Sequence, residues 1–287
     1  MNIGLTGSSG LIGRHLMKSL SLSHNFIELD LRSKNLFDNQ SEKHINDFGL
    51  VHLASLNSKI NSEKFDDEIQ ITKKLIQIIP KLKIKFCIFF STSKVYGETF
   101  NFVADESSQI NPMCTYAKTK VIAENMLQEY CHDNNITLII LRLAPVISKH
   151  PSSNIGRLLT YLDKELAMPI LSAGDSAERS YLSLPNITNA FDNLLHFLDK
   201  NTNIFQKIYN LSDSQPMSMN SLIKSYCEAN DLDLHPVSMP DFLANLMFAI
   251  PSLGKKLSNK FSNSVISSKQ LQIDLELSLI PSLKLDN

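Results

Sequence analysis

A tyrosine and a lysine four residues apart, Tyr116 and Lys120 in TYAKTKVIAEN, fall on one face of any helix built over that segment. A phenol ionises near pH ~10 and is a poor base at neutral pH, but an adjacent ammonium favours the phenolate. Lys120 is therefore expected to lower the pKa of Tyr116, and the chemistry on offer is proton exchange with an alcohol or carbonyl oxygen. A second hydroxyl to hold that oxygen is available where KFCIFF runs into STSKVYGE: Thr92, or its neighbours Ser91 and Ser93. Tyrosine and lysine at this spacing also occur on surface helices without any role, so the pair gains its meaning from what accompanies it.

The accompaniment begins at the start of the chain. TGSSGLIGRHL places Gly7, Gly10 and Gly13 after an apolar run and ahead of an amphipathic pattern that reads as a helix through Leu22. Glycines at such a bend let the backbone approach a pyrophosphate, whose charge then rests on the free N–H groups at the helix start. A tight strand-to-helix turn with no ligand would use the same residues. Twenty-three residues beyond Gly7 stands Asp30, a carboxylate at a strand end that can accept hydrogen bonds from an adenosine ribose, which favours NAD. Arg32, and Arg14 beside the third glycine, could instead clasp a 2′-phosphate, which keeps NADP as the alternative. Both arginines also suit a solvated surface.

These groups need a scaffold. NIGLT, FIELDL, LVHLAS, KFCIFFS and TLIILRLA read as strands, separated by helical patterns such as Glu63 to Ile79 and Ala117 to Cys131. The strands are apolar on both faces, as in a parallel sheet covered by helices on each side, so an α/β doubly wound Rossmann sheet is expected. From about His150 the rhythm loosens, with several prolines and helices at Asn186 to Asp199 and Ser218 to Ala229. The expected division is a dinucleotide-binding domain over 1–147 that takes back about 186–212, and a smaller interleaved substrate-binding cap over most of 148–287.

Composition removes other classes. Lys plus Arg number 28 against 29 Asp plus Glu, so no basic excess exists to neutralise a nucleic acid or an anionic membrane. Cys87, Cys114, Cys131 and Cys227 stand singly, which speaks against a zinc knuckle or a disulfide framework and for a reducing compartment. The eight histidines show no metal-ligand spacing, and no metal is assigned. No secretory signal is legible at the N-terminus, so a cytoplasmic location is expected. The apolar stretch FLANLMFAI, Phe242 to Ile250, is about half of the roughly 20 residues a spanning helix needs and reads as a core or interface helix.

Taken together, TGSSGLIG, VHLAS, FFSTSKVYGE, YAKTKVIAE and LRLAPV resemble the extended short-chain dehydrogenase/reductases, specifically the NAD-dependent epimerase/dehydratase group acting on nucleotide sugars. The resemblance covers nearly the whole chain. It implies that Thr92, Tyr116 and Lys120 are catalytic. It also implies a cofactor site made by Gly7, Ser9, Gly10, Leu11, Ile12, Gly13, Asp30, Arg32, Leu53, Ala54 and Ser55 together with Tyr116 and Lys120. On the substrate side it points to Ser93, Asn154 and Arg179, the arginine suiting a diphosphate. The tail from Lys255 is similar to that of bacterial UDP-N-acetylhexosamine 4-epimerases and 4-ketoreductases of surface-polysaccharide assembly, and a homodimer is implied by resemblance as well.

The pattern also breaks. Only 21 residues lie between Asp30 and His52, which predicts a trimmed crossover helix or third strand. The helix after VHLAS carries Glu68 or Gln70 where the family has Asn, and ISKH stands where its Tyr-Gly-Pro is expected. Ser93 and Lys94 occupy the places of the dehydratases' acid and base, which disfavours dehydration. The leading expectation is oxidation or reduction at C4 of a nucleotide-linked hexose. A non-catalytic dinucleotide sensor and a reductase of an unrelated small carbonyl remain the alternatives.

Overall fold

The computed structural model describes residues 1–31, 48–55, 65–149, 154–164, 168–170, 177–201, 204–238, 262–281 and 283. In chain order its elements are β1 (Asn2–Thr6), α1 (Leu11–Leu20), β2 (Asn25–Leu29), β3 (Phe48–His52), α2 (Phe65–Leu82), β4 (Ile84–Thr92), β5 (Val103–Ala104), α3 (Thr115–Asp133), β6 (Thr137–Leu143) and β7 (Val146–Ile147). There follow α4 (Asn154–Leu162), β8 (Met168–Ile170), β9 (Leu182–Ser183), α5 (Leu184–Lys200), β10 (Gln206–Leu211), α6 (Met219–Ala229), β11 (Pro236–Ser238), β12 (Val265–Ile266) and α7 (Lys269–Asp274). Six strands form one parallel sheet in the order β10-β6-β4-β3-β1-β2. This is the doubly wound α/β arrangement expected from the apolar runs.

The two faces of the sheet explain why those runs are continuous rather than alternating. Along β4, Phe86, Ile88 and Phe90 point into a core with Leu16 of α1 and Phe191 and Leu195 of α5. The intervening Cys87 and Phe89 point into a second core with Leu75 of α2 and Leu127 of α3. From Phe86 to Phe90, successive residues of β4 thus meet a helix layer on one side or the other. A third, smaller core gathers Leu159 of α4, Tyr181, and Leu222, Ile223 and Tyr226 of α6. The last strand, β10, is drawn from the far half of the chain and pairs in parallel with β6, Leu211 facing Leu143.

Local ends differ in places from the sequence expectation. α1 stops at Leu20, and Leu22 lies exposed in the turn beyond it, because the chain must reverse there to enter β2. α3 starts at Thr115 and not at Ala117, which puts Tyr116 in its first turn. The third strand is present, with all five residues of β3 buried against β1 and β4. The crossover expected to be trimmed lies within 32–47, outside the described residues, as do Arg32 and the stretch Phe242 to Ile250.

Candidate active site

The chain order reverses direction across the sheet between β1 and β3, with β2 on the other side of β1, and ligands of open α/β sheets bind in the crevice at that point. Here the two strand ends are tied closely. Leu53 N donates to Thr6 O at 3.1 Å, Ala54 N donates to Thr6 Oγ1 at 3.3 Å, and Thr6 Oγ1 lies 2.7 Å from His52 Nδ1. Gly7 turns away with φ of 74°, where a Cβ would sit 2.6 Å from Ala54 N. At Gly13 a Cβ would lie 2.5 Å from Gly7 O. The bend therefore tolerates side chains at neither position. Gly10 caps α1 without any side-chain hydrogen bond, and no acidic residue occupies the first turn. Its first N–H groups and its positive end can take an anion, with Ser9 and Gly10 exposed beside them.

This geometry suits a dinucleotide: glycine backbone for the pyrophosphate, and Leu53, Ala54 and Ser55, all partly exposed, as the opposite wall. Asp30 is exposed one residue past β2, whose Leu29 pairs with Thr6 at the mouth of the bend.

The proton-handling pair packs on the adjoining strand. Lys120, buried on α3, donates to the carbonyl of Phe90 at 3.3 Å, lies 4.8 Å from the Phe89 ring centroid and 5.7 Å from that of Tyr116. Tyr116 is half-buried at the start of α3, and among the described residues its hydroxyl makes no hydrogen bond. Of the three hydroxyl candidates at the end of β4, Ser91 gives its proton to Glu124. Thr92 accepts from Lys94 N at 3.3 Å, which leaves its own proton available, and Ser93 begins the 3-10 turn Ser93–Tyr96 beside it.

The electrostatics correct one expectation. Tyr116 is raised above the ordinary phenol range, first by burial and then by the carboxylate of Glu68, with Cys114 adding to it. The lowering expected from Lys120 does not prevail, and burial holds Lys120 itself below the ordinary lysine range against the opposing pull of Glu68 and Glu124. Burial, with Lys120 nearby, brings His52 down to about 3, so its ring is neutral and can accept from Thr6. His52 stacks on Phe89 at 5.5 Å and closes the packing behind Lys120.

Two features escaped the sequence reading. Glu68 is buried, accepts from Ser55 Oγ at 2.5 Å, and lies 3.8 Å from Lys120 Nζ. Its only sequence signal was that Glu68 or Gln70 falls where the family has Asn. Arg142, next to the last residue of the buried strand β6, forms a paired contact with Glu124, at 2.7 Å for the closer bond, and donates to Tyr96 Oη at 3.0 Å, which in turn donates to Asn210 at 2.8 Å. An arginine inside an otherwise apolar strand was the signal. On the substrate side, Asn154 begins α4. Arg179 is half-buried and donates to the carbonyls of Ser262, at 3.0 Å, and Glu98, at 3.4 Å, drawing three distant segments together.

The family profile described as "NAD dependent epimerase/dehydratase family" matches residues 3–212. The chain belongs to that family. Its members are enzymes that use NAD, and among curated relatives of this epimerase/dehydratase chain is the bifunctional protein gal10 of Schizosaccharomyces pombe, 26% identical over 74% of this chain and 34% of that one. This chain thus spans about a third of the length of that relative. The N-acetyl-alpha-D-glucosaminyl-diphospho-ditrans,octacis-undecaprenol 4-epimerase of Escherichia coli is 23% identical over 94% of this chain and 85% of its own. A solved UDP-glucuronic acid 4-epimerase from Bacillus cereus in complex with NAD superposes with a TM-score of 0.74 at 17% identity, covering 99% of this chain and 93% of the other. Among the described residues of this family member no helix is long and apolar enough to cross a membrane.

Proposed function

We propose that this protein is a nucleotide-sugar 4-epimerase or 4-ketoreductase that works at C4 of a UDP-linked hexose or hexosamine, in the cytoplasm and as a homodimer, in surface-polysaccharide precursor synthesis. The observation that carries the reading is the packing of the Tyr116–Lys120 pair of α3 against β4, one strand from the glycine crevice, with the Tyr116 hydroxyl unengaged among the described residues. The dinucleotide supplies hydride acceptance and return when it is bound. As the phenol, Tyr116 Oη gives its proton to the C4 oxygen when the carbonyl is reduced, and as the phenolate, a form that burial and Glu68 disfavour in this cluster, it takes that proton when C4 is oxidised. Thr92 donates a hydrogen bond to the same oxygen and fixes its distance from the phenol. Lys120, anchored on Phe90 O, binds the nicotinamide ribose and keeps the ring of Tyr116 oriented. The cradle from Gly7 to Gly13, with Asp30 and the wall from Leu53 to Ser55, holds the NAD, and Arg32 belongs to the same proposal. Ser93, Asn154 and Arg179 are assigned to the sugar and diphosphate. The cap that closes over the substrate is proposed as the part of 148–287 outside 186–212.

Purified protein incubated with UDP-glucose, UDP-N-acetylglucosamine and their 4-keto forms, with NAD(H) or NADP(H), tests the reading by chromatography of the products. Tyr116→Phe is expected to lower kcat by about a hundred- to ten-thousand-fold while NAD still binds. Equal turnover by the variant would remove the proposed base. Light scattering of the same preparation reports the oligomeric state.

A further inference from the structure

We propose that Glu68 is a positioning residue whose carboxylate is the counter-charge for the buried ammonium of Lys120. The inference concerns the site read above as catalytic and takes its functional meaning from that reading. Lys120 is 2% exposed and Glu68 4% exposed, so water does little to screen either. Taking an ammonium out of water disfavours its charged form unless a partner compensates. Phe90 O offers a neutral acceptor at 3.3 Å, and the aromatic faces of Phe89 and Tyr116 add a weaker attraction. None of these carries a full negative charge.

Two carboxylates face Lys120. Glu124, one turn further along α3, is committed to Arg142 through two hydrogen bonds, of 2.7 and 3.2 Å, and to the Ser91 hydroxyl. Glu68, reaching across from α2, lies 3.8 Å from the ammonium and is steered there by the hydrogen bond from Ser55. The other titratable neighbours are His52 on β3, neutral by burial, and Tyr116 and Cys114 at the start of α3. Glu68 is therefore the carboxylate in ion-pair range of Lys120 among the described residues. An amide in place of Glu68 would supply hydrogen bonds without charge.

The arrangement has two effects of opposite direction. Glu68 favours the ammonium of Lys120, and it disfavours the phenolate of Tyr116 on the far side of the same cluster.

The test reads Lys120 directly and needs neither cofactor nor sugar. Protein carrying lysine labelled with carbon-13 at Cε is titrated by NMR, with the Lys120 signal assigned by its loss in Lys120→Met. In Glu68→Gln the titration of that signal is expected to move about one pH unit lower. An unmoved midpoint in a variant with wild-type circular dichroism overturns the proposal. Should Glu68→Gln fail to fold, Glu68→Asp, which draws the carboxylate back by one methylene, is expected to give a smaller downward shift, and no shift there overturns the proposal equally. A protein that turns over no nucleotide sugar yet shows the shift would lose the reading of the previous subsection and keep this one.

Discussion

At the level of single residues, the site is governed by how burial and charge divide between neighbours. Tyr116 and Lys120 were visible from their spacing, but the direction of the phenol's shift was not, because spacing along one helix says nothing of a carboxylate arriving from another. Glu68 could be read only as an anomaly until α2 and α3 were seen to pack. His52 shows the same dependence on context. Its folded pKa is about 3 against an ordinary ~6.5, so between those values the unfolded chain binds a proton that the folded protein does not. Stability therefore rises with pH through that window and falls as pH drops, by at most about 1.4 kcal/mol per pH unit from this group. Urea unfolding of wild type and His52→Asn at pH 4.5, 5.5 and 6.5 is expected to show a flatter dependence in the variant. Parallel curves would mean that His52 binds a proton in the fold as readily as in the unfolded chain.

At the level of elements, the glycine bend and the strand ends around it form one mechanical unit. The triplet was legible in the sequence because backbone demands there are absolute. Gly13 touches the Gly7 carbonyl and the Ser8 backbone so closely that a Cβ would lie 2.5 and 2.8 Å from them. Gly13→Ala is expected to push α1 away from the bend, weaken NAD affinity by tenfold or more, and cost about 1–3 kcal/mol of stability. Isothermal titration with NAD and thermal unfolding check both effects, and wild-type affinity in the variant would show that the bend does not contact the cofactor. The strands themselves were readable for an equally physical reason: β4 feeds two cores from alternate residues, so the stretch from Phe86 to Phe90 had to be apolar throughout. Helix ends were less legible. α1 and α3 stop and start where tertiary reversal requires, and local propensity at Leu22 or Thr115 carries little of that information.

At the level of the whole molecule, segments far apart along the chain are joined by polar contacts that no local pattern announces. Asp213, just beyond β10, accepts from Ser183 N at 3.0 Å, from Ser183 Oγ at 3.1 Å and from Asn186 Nδ2 at 2.7 Å, while its own N–H donates to Tyr181 O at 2.8 Å. Asn186 also reaches the carbonyl of Ile280 near the end of the chain at 2.8 Å. Asp213→Ala leaves buried donors on Ser183 and Asn186 unpaired and is expected to cost about 2–4 kcal/mol, read as a lower urea midpoint. An unchanged midpoint would show that water replaces the carboxylate at no cost. The charged clasp of Arg142 with Glu124 belongs to the same class. Its partners come from β6 and α3 and its extension to Asn210 comes from β10, so its assembly depends on topology and not on sequence proximity.

The late arrival of β10 matters to the chain while it is being made. Until residue 211 has left the ribosome, β6 has a bare outer edge, and its Leu138 to Leu141 run is the kind of segment that recruits other chains. Translation must therefore continue through β10 before that edge is sealed, and a fragment ending at β6 would present the edge to other chains.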